Sequence, residues 1–232
     1  MQKQLNLILN GKGGVGKSFF ATNFVQFLKD QKIPHVAIDT DNENSTLKRF
    51  HPDAQFVNLS QTREIDELFG ALEGNAVVVV DCRAASTDLF LQYFAELKIF
   101  DVLEGMGAAL TVVSPVNHDL DSVEQVRIIA KAFDGRCRYL VVKNLALTDH
   151  FTIYDASKTR KRLLNELVAK EMTMPKLHDW LVASLHQVNL PVGQAIQHQK
   201  FSLMDRQRLK NWQRQFHEQV NTVREIILPG EA

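Results

Sequence analysis

Apolar residues in this chain come in two alternating kinds of stretch. Short, nearly continuous apolar runs end at turn-forming residues, and between them lie longer segments whose apolar positions recur every three or four residues. The first run, Leu5-Asn6-Leu7-Ile8-Leu9-Asn10, predicts a buried strand. After a glycine-rich loop, the segment Lys17 to Gln31 carries Phe20, Phe24, Phe27 and Leu28 at helical spacing. His35 to Ile38 predicts a second strand closing on Asp39-Thr40-Asp41, and Gln55 to Asn58 a short third. Ile65 to Leu72 reads as a helix ended by Gly74. The run Ala76-Val77-Val78-Val79-Val80-Asp81 is the clearest strand, apolar throughout as a strand covered on both faces must be. Thr87 to Leu97 and Phe100 to Leu103 are helical and unusually apolar. Ala109 to Val113 is a strand that Ser114-Pro115 should stop, and about Ser122 to Phe133 a helix with Val123, Val126, Ala130 and Phe133 on one face. Tyr139 to Val142 is the next strand, ending at Lys143-Asn144. The helix that Ser157 opens continues through Leu163, Leu164, Leu167 and Val168.

Strands alternating with helices predict an α/β fold: a three-layer, doubly wound, mostly parallel sheet flanked by helices. No repeat, low-complexity tract or linker interrupts it, so residues 1–232 are expected to form a single domain. Residues 203–228 predict one long amphipathic helix, with Leu209, Trp212, Phe216, Val220, Val223 and Ile227 in a single stripe that packs on that domain.

Composition narrows the class. Acidic and basic residues balance at 27 each, so no global field draws the protein onto DNA or a membrane. Basic clusters at 158–162 and 206–214 leave direct DNA contact open as a local property, against the simpler reading of solvated helix faces. Cys82 and Cys137 are isolated, without metal-ligand spacing, which fits a reduced, cytoplasmic protein. Neither a signal peptide nor an apolar run of membrane-spanning length is visible.

The chemistry starts in the first loop. Gly11-Lys12-Gly13-Gly14-Val15-Gly16-Lys17-Ser18 fits the phosphate-loop pattern between a strand and a helix. Its glycines let backbone N–H groups turn inward around a phosphate, and the positive end of the following helix adds attraction. Lys17 would reach the β- and γ-phosphates, Ser18 would take one position on Mg²⁺, and Phe19 continues the nucleotide-binding run. Asp39 and Asp41 lie at the carboxyl end of the second strand, where open α/β sheets gather their sites. Asp81 ends the valine strand as a metal-holding carboxylate does. The continuation Cys82-Arg83-Ala84-Ala85-Ser86 has no glycine, which restricts that loop. Arg83 either senses phosphate or pairs with a nearby acid.

The run Lys12 to Ser18 resembles the deviant Walker A box of the ParA/MinD superfamily of ATPases. The resemblance implies that Lys12 reaches across a dimer interface to the nucleotide of the opposite subunit. It also implies that Asp41 orients or deprotonates the attacking water, that Asp39 lies near the metal's water shell, and that Asn144 reads the adenine edge, favouring ATP over GTP. The cysteines argue against the iron–sulfur branch. Asn42-Glu43-Asn44-Ser45 departs from the Pro-Gln-Gly pattern of chromosome-partition members, and Arg83 stands where a Pro- or Gly-containing switch is usual. Leu190-Pro191-Val192-Gly193 lies where relatives close over the base. From Val141 to Asn144, then Phe151, Tyr154-Asp155, Ser157 to Arg160 and Pro175 to Leu177, the chain looks like plasmid-encoded TraL/StbB-type ATPases of conjugative transfer and plasmid stability. Together these imply an ATP- and Mg²⁺-dependent switch that forms a nucleotide-dependent homodimer and works with a plasmid-encoded protein partner, with a membrane role disfavoured. The rivals are a metabolic phosphoryl-transfer or ligase enzyme of the dethiobiotin-synthetase type and a non-hydrolysing nucleotide-dependent adaptor.

Overall fold

The computed structural model describes residues 2–230, so Met1 and the last two residues of the 1–232 span lie outside the described residues. Its first half runs β1 (Lys3–Ile8), α1 (Lys17–Asp30), β2 (Val36–Asp39), α2 (Thr46–Phe50), β3 (Gln55–Phe56), α3 (Thr62–Gly74), β4 (Val77–Asp81), α4 (Thr87–Glu96) and α5 (Ile99–Gly105). The second half runs β5 (Ala108–Val116), α6 (Leu120–Phe133), β6 (Arg138–Asn144), α7 (Thr152–Asp155), α8 (Lys158–Asn165) and β7 (Lys170–Met174). It closes with α9 (Asp179–Val188), α10 (Val192–Ala195), α11 (Leu203–Thr222) and α12 (Arg224–Ile227).

All strands pair in parallel, in the order β3-β2-β4-β1-β5-β6-β7. The chain winds outward on one side of β1 and then on the other, so β1 lies at the point where the strand order reverses. Crevices at the carboxyl ends of strands open at such a point. The register puts Ile8 beside Asp81, and Asp81 beside Asp39, on one level at that edge.

Alternation along each strand divides the core in two. Val77 and Val79 face a layer built from Phe20, Phe24, Phe27, Leu209 and Phe216, whereas Val78 and Val80 face one built from Leu68, Phe90, Phe94, Val126 and Phe133. Phe20, Phe24 and Leu28 of α1 are fully buried, each worth about 1.5–3 kcal/mol relative to exposure. The helix that carries the phosphate loop is therefore firmly held. No helix among the described residues is long and apolar enough to cross a membrane.

Several elements differ from what local pattern predicts. Ser114-Pro115 does not stop β5, which runs to Val116. Val113 and Pro115 point toward β1, but β1 ends at Ile8, so the missing proline N–H falls where no strand needs it. The Pro115 carbonyl is taken by the Asn10 side chain instead. The predicted 203–228 helix is two pieces, broken at Val223 (φ −120°). The break lets the carbonyls of Ile226 and Ile227 turn to Thr111 and Asn6 in the sheet. Leu209, Trp212, Phe216, Val220, Val223 and Ile227 are all buried against the domain. The helix opened by Ser157 ends at Asn165, before Leu167 and an exposed Val168 in the left-handed region (φ 49°). β7 and α9 were not anticipated by the periodicity.

Candidate functional site

The loop between β1 and α1 is built from its stem upward. Asn10, fully buried, donates to the carbonyls of Pro115 (2.9 Å) and Ser122 (3.0 Å) and accepts from the N–H of Lys12 (3.0 Å). Gly14 (φ 74°) and Gly16 (φ 101°) then curl the backbone in the left-handed region that suits glycine. A Cβ on Gly16 would come within 2.4 Å of the Asn144 amide nitrogen. Gly16 begins α1 without any side-chain cap, and α1 has no acid in its first turn. Its first N–H groups and the positive end of its dipole are thus left for an external anion.

Lys17 is buried, with its ammonium donating to the Lys12 carbonyl at 2.9 Å. Burial lowers its pKa, against the opposing pull of Asp81 and other nearby negative groups. Asp81 is buried too, and neither of its carboxylate oxygens has a hydrogen-bond partner. Burial, and then the charge of Asp39, push its pKa up to about 7, although the nearby Ser18 hydroxyl and Lys17 favour the ionised form. Two orphaned carboxylate oxygens beside a serine hydroxyl and a phosphate loop fit Mg²⁺, which takes few protein oxygens and completes its shell with phosphate and water.

The two aspartates at the end of β2, Asp39 within the strand and Asp41 just past it, are held differently. Asp39, expected near the metal's water shell, commits its oxygens to the N–H groups of Asp41 (2.9 Å) and Lys48 (2.9 Å), and so orders the loop. Burial raises its pKa against those bonds. Asp41 lines the cleft and accepts from the N–H groups of Glu43 (3.0 Å) and Asn44 (3.2 Å) and from the Asn44 amide. Burial pushes its pKa up, but these bonds and the nearby Arg83 charge outweigh it and hold the carboxyl below the ordinary range. A carboxylate so stabilised is better suited to orienting water than to removing its proton.

Lys12 stands apart on the outer lip. Its ammonium meets Asp121 at 3.0 Å and Asp119 at 3.9 Å. The hydrogen bond and charge of Asp121 raise its pKa. Asn144, expected at the adenine edge, is buried beneath the loop, donating to the Val15 carbonyl (2.9 Å) and accepting from the Ala146 N–H (3.0 Å). These bonds use one N–H and one lone pair of the amide and leave its second N–H and second lone pair uncommitted. Phe19 packs edge-on against Trp212, with ring centroids 5.4 Å apart. The Leu190–Gly193 stretch sits along the side of α1, where the Val192 N–H meets Asn23 and Gly193 abuts Gln26 and Gln213.

The cleft encloses about 330 Å³ and runs from Gly13, Gly14 and Lys17 past Asp41 and Arg83 to Phe50 and His186. The last two rings meet edge-on at 5.2 Å. Sequence reasoning missed Asn10, Thr40, Phe50, His186 and Asp121. Of these only Asn10 and Thr40 carried a local signal, one ending the first strand and the other lying between two candidate aspartates. Four of the eight basic side chains in the two clusters pair with neighbouring acids. Arg160 pairs with Glu171, Arg162 with Asp134, Arg208 with Asp205 and Arg214 with Glu218. They also belong to helices on opposite faces of the sheet.

A parallel sheet with a glycine loop and an uncapped helix at its reversal point defines a P-loop nucleotide-binding protein. Residues 7–177 match the CobQ/CobB/MinD/ParA nucleotide binding domain, and the chain belongs to that family. Two Escherichia coli proteins named TraL are similar along almost their whole length. One is 26% identical over 229 residues, covering 89% of this chain and 92% of that protein; the other is 27% identical over 240 residues, covering 94% and 97%. Among solved structures, the MinC:MinD cell division protein complex of Aquifex aeolicus aligns with a TM-score of 0.55 and 16% identity over 99% of each chain. The septum site-determining protein MinD complexed with Mg-ADP from Pyrococcus horikoshii aligns with a TM-score of 0.55 and 14% identity, over 99% of this chain and 100% of that one. These structures establish a shared fold.

Proposed function

We propose that this chain is an ATP-dependent molecular switch that dimerises around nucleotide and hydrolyses it slowly, acting in the cytoplasm in plasmid conjugative transfer, stability or partition. The observation that carries the reading is that a buried Lys17 and an Asp81 carboxylate whose oxygens have no hydrogen-bond partner lie together at an uncapped helix start. Such a site is left electrostatically incomplete until a polyphosphate and a dication enter it. Ser18 and Asp81 would hold Mg²⁺, which supplies charge neutralisation at the phosphate oxygens. The loop N–H groups and Lys17 would spread the γ-phosphate charge, while Asp41 would orient the water. Lys12 would act on the nucleotide of the partner subunit, coupling turnover to association.

The plasmid context is supported by similarity to the two TraL proteins. A plasmid-encoded protein is the proposed partner. Direct DNA contact through 158–162 or 206–214 by Arg160 or Arg208 would have to displace existing ion pairs. The test is mass in solution by light scattering, apo, with ADP, and with ATP and Mg²⁺ on an Asp41→Ala variant, alongside phosphate release by the unaltered protein. A dimer with ATP alone and slow phosphate release are expected. An unchanged monomer that binds ATP would sink the dimer switch and turn attention to a metabolic phosphoryl-transfer activity.

A further inference from the structure

Arg83 is the cation in the cleft that the switch reading leaves without a task. It follows β4 by two residues and shares the cleft with Gly13, Gly14, Lys17, Ser18 and Asp41. Its Nε is buried and has no hydrogen-bond partner. A guanidinium N–H shut away from water calls for an acceptor, and unmet buried donors are rare enough to require an explanation. Asp41 is the acid near enough to feel its charge, yet that carboxylate is already hydrogen-bonded by Glu43 and Asn44 of its own loop.

The backbone beneath Arg83 is fixed, although its loop contains no glycine. The Arg83 N–H donates to Thr40 Oγ1 at 3.0 Å, and Thr40 Oγ1 in turn donates to the Asp81 carbonyl at 3.0 Å. Ser86 Oγ donates to the Arg83 carbonyl at 2.8 Å. The Ala85 N–H donates to the Gly11 carbonyl at 3.0 Å, with Ala85 itself at φ 57°. The side chain therefore projects from a loop tied both to the segment after β2 and to the phosphate loop. A positioned planar fork recognises phosphate oxygens bidentately, which a mobile point charge does not.

We propose that Arg83 is a finger acting in cis: its guanidinium binds the γ-phosphate of a nucleoside triphosphate held by its own subunit and stabilises transfer of that phosphoryl group to water. This deepens the ATPase reading and rests on it. In the step, the water oxygen forms a bond to the γ-phosphorus as the bond from that phosphorus to the β,γ-bridging oxygen breaks. The electron pair leaves with ADP, and the water's proton passes to the released phosphate. Arg83 and Lys17 share the charge within one subunit, so basal turnover does not depend wholly on Lys12 of a second copy. The cation also distinguishes triphosphate from diphosphate, since only the former presents a γ-phosphate.

The test compares the unaltered protein with Arg83→Ala and Arg83→Lys by calorimetric titration with Mg²⁺-ADP and with a non-hydrolysable imido analogue of Mg²⁺-ATP. Single-turnover phosphate release from ATP is measured alongside, and thermal melts report folding. Arg83→Ala should bind ADP like the parent but the triphosphate analogue at least ~10-fold more weakly, with turnover down on the order of 100-fold. Arg83→Lys should recover part of both. A role confined to holding the loop would weaken both nucleotides together, so an unchanged ratio of the two affinities in Arg83→Ala overturns the assignment. If Arg83→Ala does not fold, the same ratio in Arg83→Lys decides: unchanged from the parent, it overturns the proposal. Failure of the parent to bind either nucleotide would instead bring down the nucleotide reading, and this inference with it.

Discussion

The floor of the phosphate loop and its outer lip are built on opposite electrostatic terms. On the floor, Lys17 and Asp81 are both buried, each with its pKa shifted by burial toward the uncharged form. On the lip, the Lys12 side chain is 35% exposed and the Asp121 it meets is 72% exposed, with burial a minor influence on the lysine. The floor is thus held in an unrelieved state by the two layers packed around it, and a ligand of complementary charge relieves it. The lip is already satisfied in the single chain and can be rearranged cheaply. A fixed floor suits binding; an exchangeable lip suits a response to a second molecule.

The largest effect on binding should come from removing the floor's cation. Lys17→Ala is expected to weaken triphosphate binding roughly 100-fold or more, because charge-assisted hydrogen bonds contribute about 1.5–3 kcal/mol each. Its melting temperature should stay close to the parent's, since a buried ammonium leaves with its desolvation cost. Titration calorimetry and a thermal melt measure both. Retained affinity would mean that the loop amides alone bind the phosphates and that the floor is not the binding determinant.

Lys12→Ala probes the lip. Binding of nucleotide by the single chain should be unchanged, whereas ATP-dependent dimerisation is lost and turnover falls by about 10³-fold, as when a cation supplied in trans is removed. Light scattering and phosphate release separate the two effects. If both were indistinguishable from the parent, the functional contrast between lip and floor would collapse.

Asp81→Asn sharpens the floor through pH. Burial lifts the carboxyl from its ordinary value of about 4 to about 7, so its contribution to stability is fully present below about pH 4 and lost as pH rises through 7. Asparagine has no charge to desolvate. Without nucleotide or Mg²⁺, the variant should therefore be about as stable as the parent at pH 4 and more stable at pH 8, by a margin on the order of a few kcal/mol at most, read from denaturant unfolding at the two pH values. A margin that does not grow between those limits would show that Asp81 is better solvated than its surroundings indicate.

The contrast between floor and lip also tracks what was legible in the sequence. The floor is marked by two local runs: the glycines, Lys17 and Ser18 lie in one, and Asp81 ends the valine strand, so each was legible from its own neighbours. The sheet was legible for the same reason, each strand being a local apolar run. What escaped was non-local. Asp121 lies 109 positions from Lys12, and Val15 lies 129 positions from the Asn144 that supports it. Pro115 continues a strand only because β1 ends short of it. β7, Lys170-Glu171-Met172-Thr173-Met174, is an edge strand with polar residues at alternate positions, and it lacked the apolar run that marked the others. Arg83 was legible as a cation near the site, but its alternatives could be separated only once the buried Nε and the partners of Asp41 were seen.

The smallest change tests the lip without touching the lysine. Asp121→Asn removes the nearer counter-ion of Lys12 and leaves Asp119, at 3.9 Å, as the weaker attractor. An exposed pair of this kind adds little to stability and is screened by salt, so the melting temperature should not move measurably. The consequence should appear in association. In the single chain Asp121 holds Lys12 on its own subunit, and an ammonium so held must leave that carboxylate before it can reach a neighbour's phosphate. Freeing it in advance makes the dimer-competent arrangement more populated, so Asp121→Asn should dimerise with ATP and Mg²⁺ a few-fold more tightly than the parent. The gain should shrink as salt is raised, because salt loosens the same pair in the parent. Sedimentation or light scattering across a protein dilution series at low and high salt measures it. Weaker dimerisation would assign Asp121 to the interface itself, as a group that meets the partner rather than one that restrains Lys12.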